Sequence, residues 1–173
     1  ANLPYLGKRE INKSTQSEFM ETLKKYPTEE VDPAVEQLCT ALEVSPEKIN
    51  LFFGWDEVRE LVSNGIACQP HTVTHPIMTR IPIEQRIAEL KQSRDALQEN
   101  TDQIVDTFAY PNGSPADYDK ETILALHELG YKMAVTLSPG PERLSIVKRH
   151  PMQIRRVYLS RNDTLDIFIN KVT

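Results

Sequence analysis

The chain is short of the residues that build covalent or unusual scaffolds. Its 173 residues include two cysteines, Cys39 and Cys68, too few for a disulfide framework. One bridge at most is available, so cysteine usage does not fix a redox compartment. Six glycines and 12 prolines exclude collagenous and low-complexity classes. A basic excess is also missing. Twenty Lys and Arg stand against 25 Asp and Glu, giving a net charge of −5 and a pI near 5.4. That balance argues against a nucleic-acid partner, which calls for a basic patch or stripe. No apolar run approaches the roughly 18 residues of a membrane span, and no charged-then-apolar leader is read at the start. What is present is ordinary for a globular chain: 39% hydrophobic and 26% charged residues, at a length that suits one domain with a core.

Residues 1–173 read as a single domain whose character shifts near residue 50. The first stretch, 1–50, reads as a helical segment. Thr15 and Glu18 have the spacing of a capping box, with Phe19, Leu23 and Tyr26 following at helical intervals and Pro27 as the stop. Asp32-Pro33 reads as the start of a second helix, with Val35, Leu38 and Leu42 as its apolar stripe. From 51 to 173 the pattern alternates. Helices are expected over 55–62, 82–98, 120–129 and 163–172. Strands are expected over 66–68, 105–110, 132–137 and 156–160. In the 82–98 helix, Ile83, Ile87, Leu90 and Leu97 form the expected core face, and Gly65 and Gly130 suit left-handed helix caps. Strands alternating with helices imply an α/β fold with a parallel sheet.

In such folds, functional groups gather in the loops that follow the strands. Two loops stand out. Gln69 to Pro76 holds His71 and His75, two of the four histidines, within five residues. Pro76 disfavours helical geometry at His75, so the pair sits in a loop that can turn two imidazoles onto one point. Neutral imidazole binds zinc and similar divalent metals. Spacing alone leaves two readings open, metal ligands or two solvated loop histidines. Thr72 stands where the His-Glu-x-x-His protease motif needs its Glu, so that chemistry is excluded. The second loop, Phe108 to Pro115, contains the turn-forming Pro111-Asn112-Gly113. It is either a plain strand-to-helix turn or a place where a backbone N–H meets a developing oxyanion beside sugar-facing rings. His127, His150, Cys39 and Cys68 read as structural or surface residues, with Lys148-Arg149-His150 a solvated turn. Arg155 and Arg156 suit ion pairs or an anionic substrate, with the structural role favoured.

Taken in order, these segments resemble the polysaccharide deacetylases, the NodB-homology group of carbohydrate esterases. The resemblance rests on Trp55-Asp56-Glu57-Val58-Arg59-Glu60-Leu61, Asn64-Gly65-Ile66, His71-Thr72-Val73-Thr74-His75-Pro76, Phe108-Ala109-Tyr110-Pro111-Asn112-Gly113, and Leu129-Gly130-Tyr131-Lys132-Met133-Ala134-Val135-Thr136. It implies a distorted (β/α) barrel, here partial, with an N-terminal helical segment. It implies hydrolysis of acetyl groups on an envelope polysaccharide, outside the cytoplasm. It also implies a divalent metal, usually zinc, held by His71, His75 and an Asp, and an oxyanion donor in the loop Tyr110, Pro111, Asn112.

Four departures bear on that expectation. The family's first motif carries adjacent aspartates, one the base and one the third ligand, and this sequence has no Asp-Asp pair. An opening β-α-β unit is therefore expected to be absent, and the chain alone is expected to be inactive or weakly active. Ala109 lies near the place of an Arg that orients the base. No late His follows in Thr164 to Asn170, and Pro70 replaces a usual Ser. Asp56, Asp117 and Asp119 are the remaining candidates for a third ligand. Absent strands would also leave open sheet edges and favour self-association. Two other readings stand beside the enzyme. One is a non-catalytic carbohydrate-binding relative, which metal titration would separate from the enzyme. The other treats residues 11–48 as a protein-interaction element.

Overall fold

The fold is known from a computed structural model that describes residues 18, 20–23, 26, 28–45 and 52–172. The chain divides into two compact units, 1–51 and 52–173. In the first, Glu18 and residues 20–23 are helical, while the rest of the expected capping box and its first helical turn lies outside the described residues. Helix α1 spans Thr28–Ala41 and contains Pro33. This corrects the expected start at Asp32-Pro33. Acidic sequence ahead of Pro33, Glu30 included, favours an earlier N-terminus through the helix dipole. Pro33 then falls past the first turn, where it forgoes the hydrogen bond to residue 29. The expected stripe is also displaced: Ala34 is buried, Leu38 half-buried, and Val35 and Leu42 exposed.

The second unit is an α/β fold. Helix α2 (Trp55–Ser63) is followed by Gly65 at φ 82°, whose N–H donates to Val62 O at 3.0 Å. Only glycine takes that left-handed position without strain, so the sequence signal and the cap coincide. Helix α3 spans Ile83–Thr101, with Pro82 as its N-cap and Asp102 at φ 54° closing it. Strand β1 (Thr107–Ala109), helix α4 (Lys120–Glu128), strand β2 (Met133–Pro139), helix α5 (Leu144–Arg149), strand β3 (Ile154–Arg156) and helix α6 (Leu165–Val172) complete it. The strands form one parallel sheet in the order β1-β2-β3, with Phe108 paired to Ala134 and Val135 to Ile154. The final strand thus ends at Arg156 rather than running over 156–160. Lys148 and Arg149 form the last turn of α5 rather than a solvated turn.

The expected strand over Ile66, Ala67 and Cys68 is not a strand. Ile66 is 53% exposed, and the segment from 66 to 70 joins β1 through side-chain amides in place of a regular ladder. Gln103 accepts from Cys68 N–H (3.1 Å) and donates back to Cys68 O (2.6 Å). Gln69 accepts from the N–H groups of Asp106 and Thr107 (3.2 and 3.0 Å) and donates to Ile104 O at 3.2 Å. A backbone bond from Ala109 N–H to Pro70 O, 3.1 Å, continues the line. The outer edge of β1 is covered by this segment.

The core lies between α3, α4 and the sheet: Leu90, Phe108, Tyr110, Tyr118, Leu126, Tyr131 and Met152 are buried together. Tyr110 stacks on Tyr118 at 4.1 Å and meets Phe108 edge-on at 5.4 Å. Its hydroxyl donates to Met152 O (3.0 Å), and that of Tyr131 to Leu90 O (2.9 Å). Buried phenols need such partners. The expected face of α3 is partly borne out, with Leu90 in the core and Ile83 and Leu97 packed against it, and the buried face extends beyond it to charged residues. That buried face carries Arg86, Glu89, Leu90 and Ser93, while Ile87 is 37% exposed. Two of the buried residues are charged, and each has a specific partner on a loop.

Candidate functional site

The site forms where the segment after Cys68 crosses the C-terminal end of β1. Ala109 is held twice by that segment. Its N–H donates to Pro70 O, and its carbonyl lies 2.7 Å from His71 Nδ1. A carbonyl only accepts, so Nδ1 carries the proton and Nε2 of the neutral ring keeps a free lone pair. The backbone of residue 109 thus orients the imidazole, and Ala109 serves there without the Arg that the resemblance implies near this place.

His75 meets His71 edge to face, with ring centroids 4.7 Å apart and planes at 73°. The structure therefore brings together the two histidines that spacing singled out. Although His71 is exposed as a residue, partial desolvation of its imidazole lowers its pKa below the ordinary 6.5. The Ala109 carbonyl opposes that shift, and the charges of His75 and Arg156 add to it. Arg156 is anchored on β3 by its Nε donating to Thr136 O at 2.6 Å. The net effect favours the neutral ring, the form that ligates a cation.

The loop between the histidines is strained. Thr72 and His75 have φ values of 68° and 59°. Left-handed backbone at residues other than glycine costs about 1–3 kcal/mol each and persists only when the surroundings hold it. Two groups hold it here. The Thr72 hydroxyl accepts from His75 N–H at 3.0 Å. The buried Glu89 carboxylate accepts from Val73 N–H (2.6 Å), Thr74 N–H (3.0 Å) and the Thr74 hydroxyl (2.6 Å). The peptide N–H groups of Val73 and Thr74, between the two histidines, are thus tied to helix α3.

The second loop shows a division of labour. Tyr110 N–H is used by Val135 O at 3.2 Å, and Pro111 has no N–H. Asn112 N–H has no hydrogen-bond partner among the described residues. Of the three residues singled out, only Asn112 offers a free backbone donor. Tyr110 is buried, so it supplies packing and no sugar-facing surface. Gly113, at φ 71°, lets the loop lie on β2: a Cβ there would stand 2.8 Å from Leu137 N and 3.1 Å from Tyr110 O.

None of the three candidate third ligands joins the histidines. Asp56 pairs with Arg59 on the surface at 2.5 Å. Asp117 accepts from Ser114 N–H at 2.8 Å within its own turn. Asp119 caps α4 by accepting from Thr122 N–H (2.9 Å), and both its oxygens accept from Arg86 (2.9 and 2.8 Å). Partial burial pushes the Asp119 carboxyl up, but Thr122 and Arg86 outweigh it and hold it below the usual range. Among the described residues, no third His, Cys, Asp or Glu completes a metal-sized cluster. The two imidazoles fit a cation as two donors. Arg155 faces Glu142 at 3.4 Å, and His127 is exposed on α4. Cys39 and Cys68 are free and half-buried.

Comparison with known proteins agrees with this architecture. The family model described as polysaccharide deacetylase matches residues 11–134, and the chain belongs to that family. YxkH of Bacillus subtilis (strain 168), which carries a polysaccharide deacetylase name, is 28% identical over 85 residues, 49% of this chain and 29% of its own. Among solved structures, the deacetylase PplD of Streptococcus pyogenes superposes with a TM-score of 0.65 at 22% identity, covering 73% of this chain and 53% of that one. BC0361, a polysaccharide deacetylase from Bacillus cereus, gives 0.64 at 24% identity, covering 73% and 38%. At these identities the likeness to solved structures is one of fold. The chain spans less than two thirds of each of these relatives.

Proposed function

We propose that this chain takes part in metal-assisted hydrolysis of acetyl groups on a polysaccharide, with His71 and His75 as ligands of a divalent cation, zinc foremost. The observation that carries this is the convergence of the two rings at 4.7 Å, with Nδ1 of His71 tied to Ala109 O and its Nε2 left free. When bound, such an ion polarises the acetyl carbonyl and acidifies a bound water. The chain's own groups do the rest. Ala109 O fixes the ligating tautomer of His71, and partial desolvation and Arg156 keep that ring neutral near pH 7. The Asn112 N–H is the donor for the oxyanion of a tetrahedral intermediate. Catalytic zinc uses three protein ligands and a water. With two ligands among the described residues, the 173-residue chain alone binds the ion weakly and turns over slowly or not at all. Envelope glycans outside the cytoplasm are the proposed setting.

A second reading, a carbohydrate-binding relative without catalysis, is favoured by one observation: no carboxylate among the described residues joins the histidines. Calorimetric titration of the chain, H71A and H75A with zinc and with cobalt separates the two readings. The proposal expects binding by the native chain and its loss in both variants. A native chain that takes up neither ion overturns it. Ordinary turnover of acetylated chito-oligosaccharides by the chain with added zinc would refute the claim of weak activity.

A further inference from the structure

We infer that Glu89 is the positioning residue of the two-histidine loop. It sits at the middle of α3, 6% exposed, one loop and two helical turns beyond His75 in the sequence. All three groups that bond its carboxylate belong to Val73 and Thr74, the residues lying between the imidazoles. A carboxylate is suited to that task. One oxygen takes the two peptide N–H groups and the other takes the hydroxyl, so two consecutive peptides are fixed by a single rigid group. Helix α3 is itself fixed, because Leu90 and the carbonyl that accepts from Tyr131 belong to the core. Glu89 therefore carries the rigidity of the core into a loop that has no ladder of its own.

The backbone shows why the loop needs such an anchor. His75 has φ 59° and is followed by Pro76, which pushes the preceding residue towards extended geometry. Left to itself, residue 75 relaxes towards the extended region and swings its ring away from His71. The Thr72 hydroxyl on His75 N–H acts from within the loop, and Glu89 is the tie to a fixed element. Outer partners of this kind change metal affinity about 10–100-fold when removed from characterised sites.

This inference rests on the ligand reading for its significance, but its test does not depend on metal. Glu89→Gln keeps a carbonyl for the two N–H groups and an amide that donates to the Thr74 hydroxyl. Glu89→Ala removes all three bonds, and Glu89→Asp withdraws the carboxylate by one methylene. Ring-proton contacts between His71 and His75, read by NMR on the metal-free chain, are expected in the native protein and in E89Q and lost in E89A. The Tyr131 and Leu126 signals report that the core is intact. If E89A does not fold, E89D gives the same reading and is expected to lose the ring contact. Zinc titration of the same variants is expected to show at least about tenfold weaker binding for E89A or E89D, with E89Q closer to native. A folded E89A or E89D that keeps the ring contact overturns the inference. A native chain with the ring contact but no zinc binding sinks the ligand reading and leaves the positioning role standing.

Discussion

Replacing Gly113 by alanine tests how the Asn112 loop is built, and Gly130 supplies the internal control. Both glycines have left-handed backbone, at φ 71° and 85°. They differ in what a methyl group would meet. At Gly130 nothing lies within 4 Å, whereas at Gly113 the new carbon would sit 2.8 Å from Leu137 N and 3.1 Å from Tyr110 O. Both of those are backbone atoms, so no side chain can swing aside. The left-handed penalty is about 1–2 kcal/mol, offset by roughly 0.4–1 kcal/mol from the stiffer unfolded chain. Gly130→Ala should therefore cost between about 0 and 1.6 kcal/mol by the same terms. Gly113→Ala carries the same terms and an overpacking cost of about 1–3 kcal/mol besides. In urea, with a slope of roughly 2 kcal/mol per M, the midpoint of G113A should fall about 0.5–1.5 M below that of G130A. Circular dichroism at 222 nm follows the transition, and near-ultraviolet signal from the Tyr110–Tyr118 stack checks that the same unit unfolds. Equal midpoints for the two variants would refute the claim that Gly113 is required by contact with β2. A smaller loss in G113A than in G130A would be equally fatal.

Three further outcomes follow from single contacts. Asp119→Asn keeps a capping oxygen for Thr122 but loses the charge facing buried Arg86. It should cost about 1–2 kcal/mol by thermal melting, discounted for the partly exposed carboxyl, and Asp119→Ala should cost about 1 kcal/mol more through the lost cap. Tyr110→Phe leaves the buried Met152 carbonyl without its donor and should cost about 1–3 kcal/mol, while an alkaline absorbance titration should find Tyr131 pushed up to about 12 and Tyr110 higher still. His71 in the metal-free chain should titrate below about 6.5 by NMR, because its folded pKa is depressed. For a base so shifted, the unfolded chain binds more protons between the two pKa values. Stability is then full above about 6.5 and falls with pH through the depressed folded value; H71Q should lose that part of the pH dependence, and an unchanged profile would count against the assignment.

The parts of this fold legible in the sequence are those governed by local chemistry. Gly65 and Gly130 marked helix ends because left-handed caps need glycine. The histidine loop was visible because Pro76 rules out a helix at His75. Where the sequence misled, a long-range partner had taken over. Ile66-Ala67-Cys68 has the composition of a buried strand, but its pairing comes from the side chains of Gln69 and Gln103, which no periodicity encodes. Ile87 looked like core because it is apolar at helical spacing, while Arg86 and Glu89 looked like surface because they are charged. Their burial follows from partners on loops that the sequence does not place. A signal was available: Arg86, Glu89, Leu90 and Ser93 share one helical face, and a face mixing leucine with charges is unusual for solvent.

That face shows how the histidine loop and the N-cap of α4 depend on one element. Arg86 reaches Asp119 at the start of α4 and also donates to Ile81 O at 2.9 Å, just before its own helix. One turn later, Glu89 holds the loop between the histidines. Burying two opposite charges costs free energy unless each is fully hydrogen-bonded. Among the described residues no buried side-chain nitrogen or oxygen lacks a partner, so that condition is met. An apolar α3 with leucines at both positions would give comparable burial with less desolvation. It would leave the Val73 and Thr74 N–H groups without their partner and the Asp119 carboxylate with Thr122 alone. The charges on α3 are therefore better explained by the loops they fix than by the stability of the helix. Combining Arg86→Leu with Glu89→Leu should keep the helix while releasing the turn at Asp119 and the loop carrying the imidazoles. Hydrogen exchange would show this directly. Faster exchange at Val73, Thr74 and Thr122 with unchanged protection at Leu126 is the expected pattern, and uniform loss across α3 and α4 would assign these charges to the core instead.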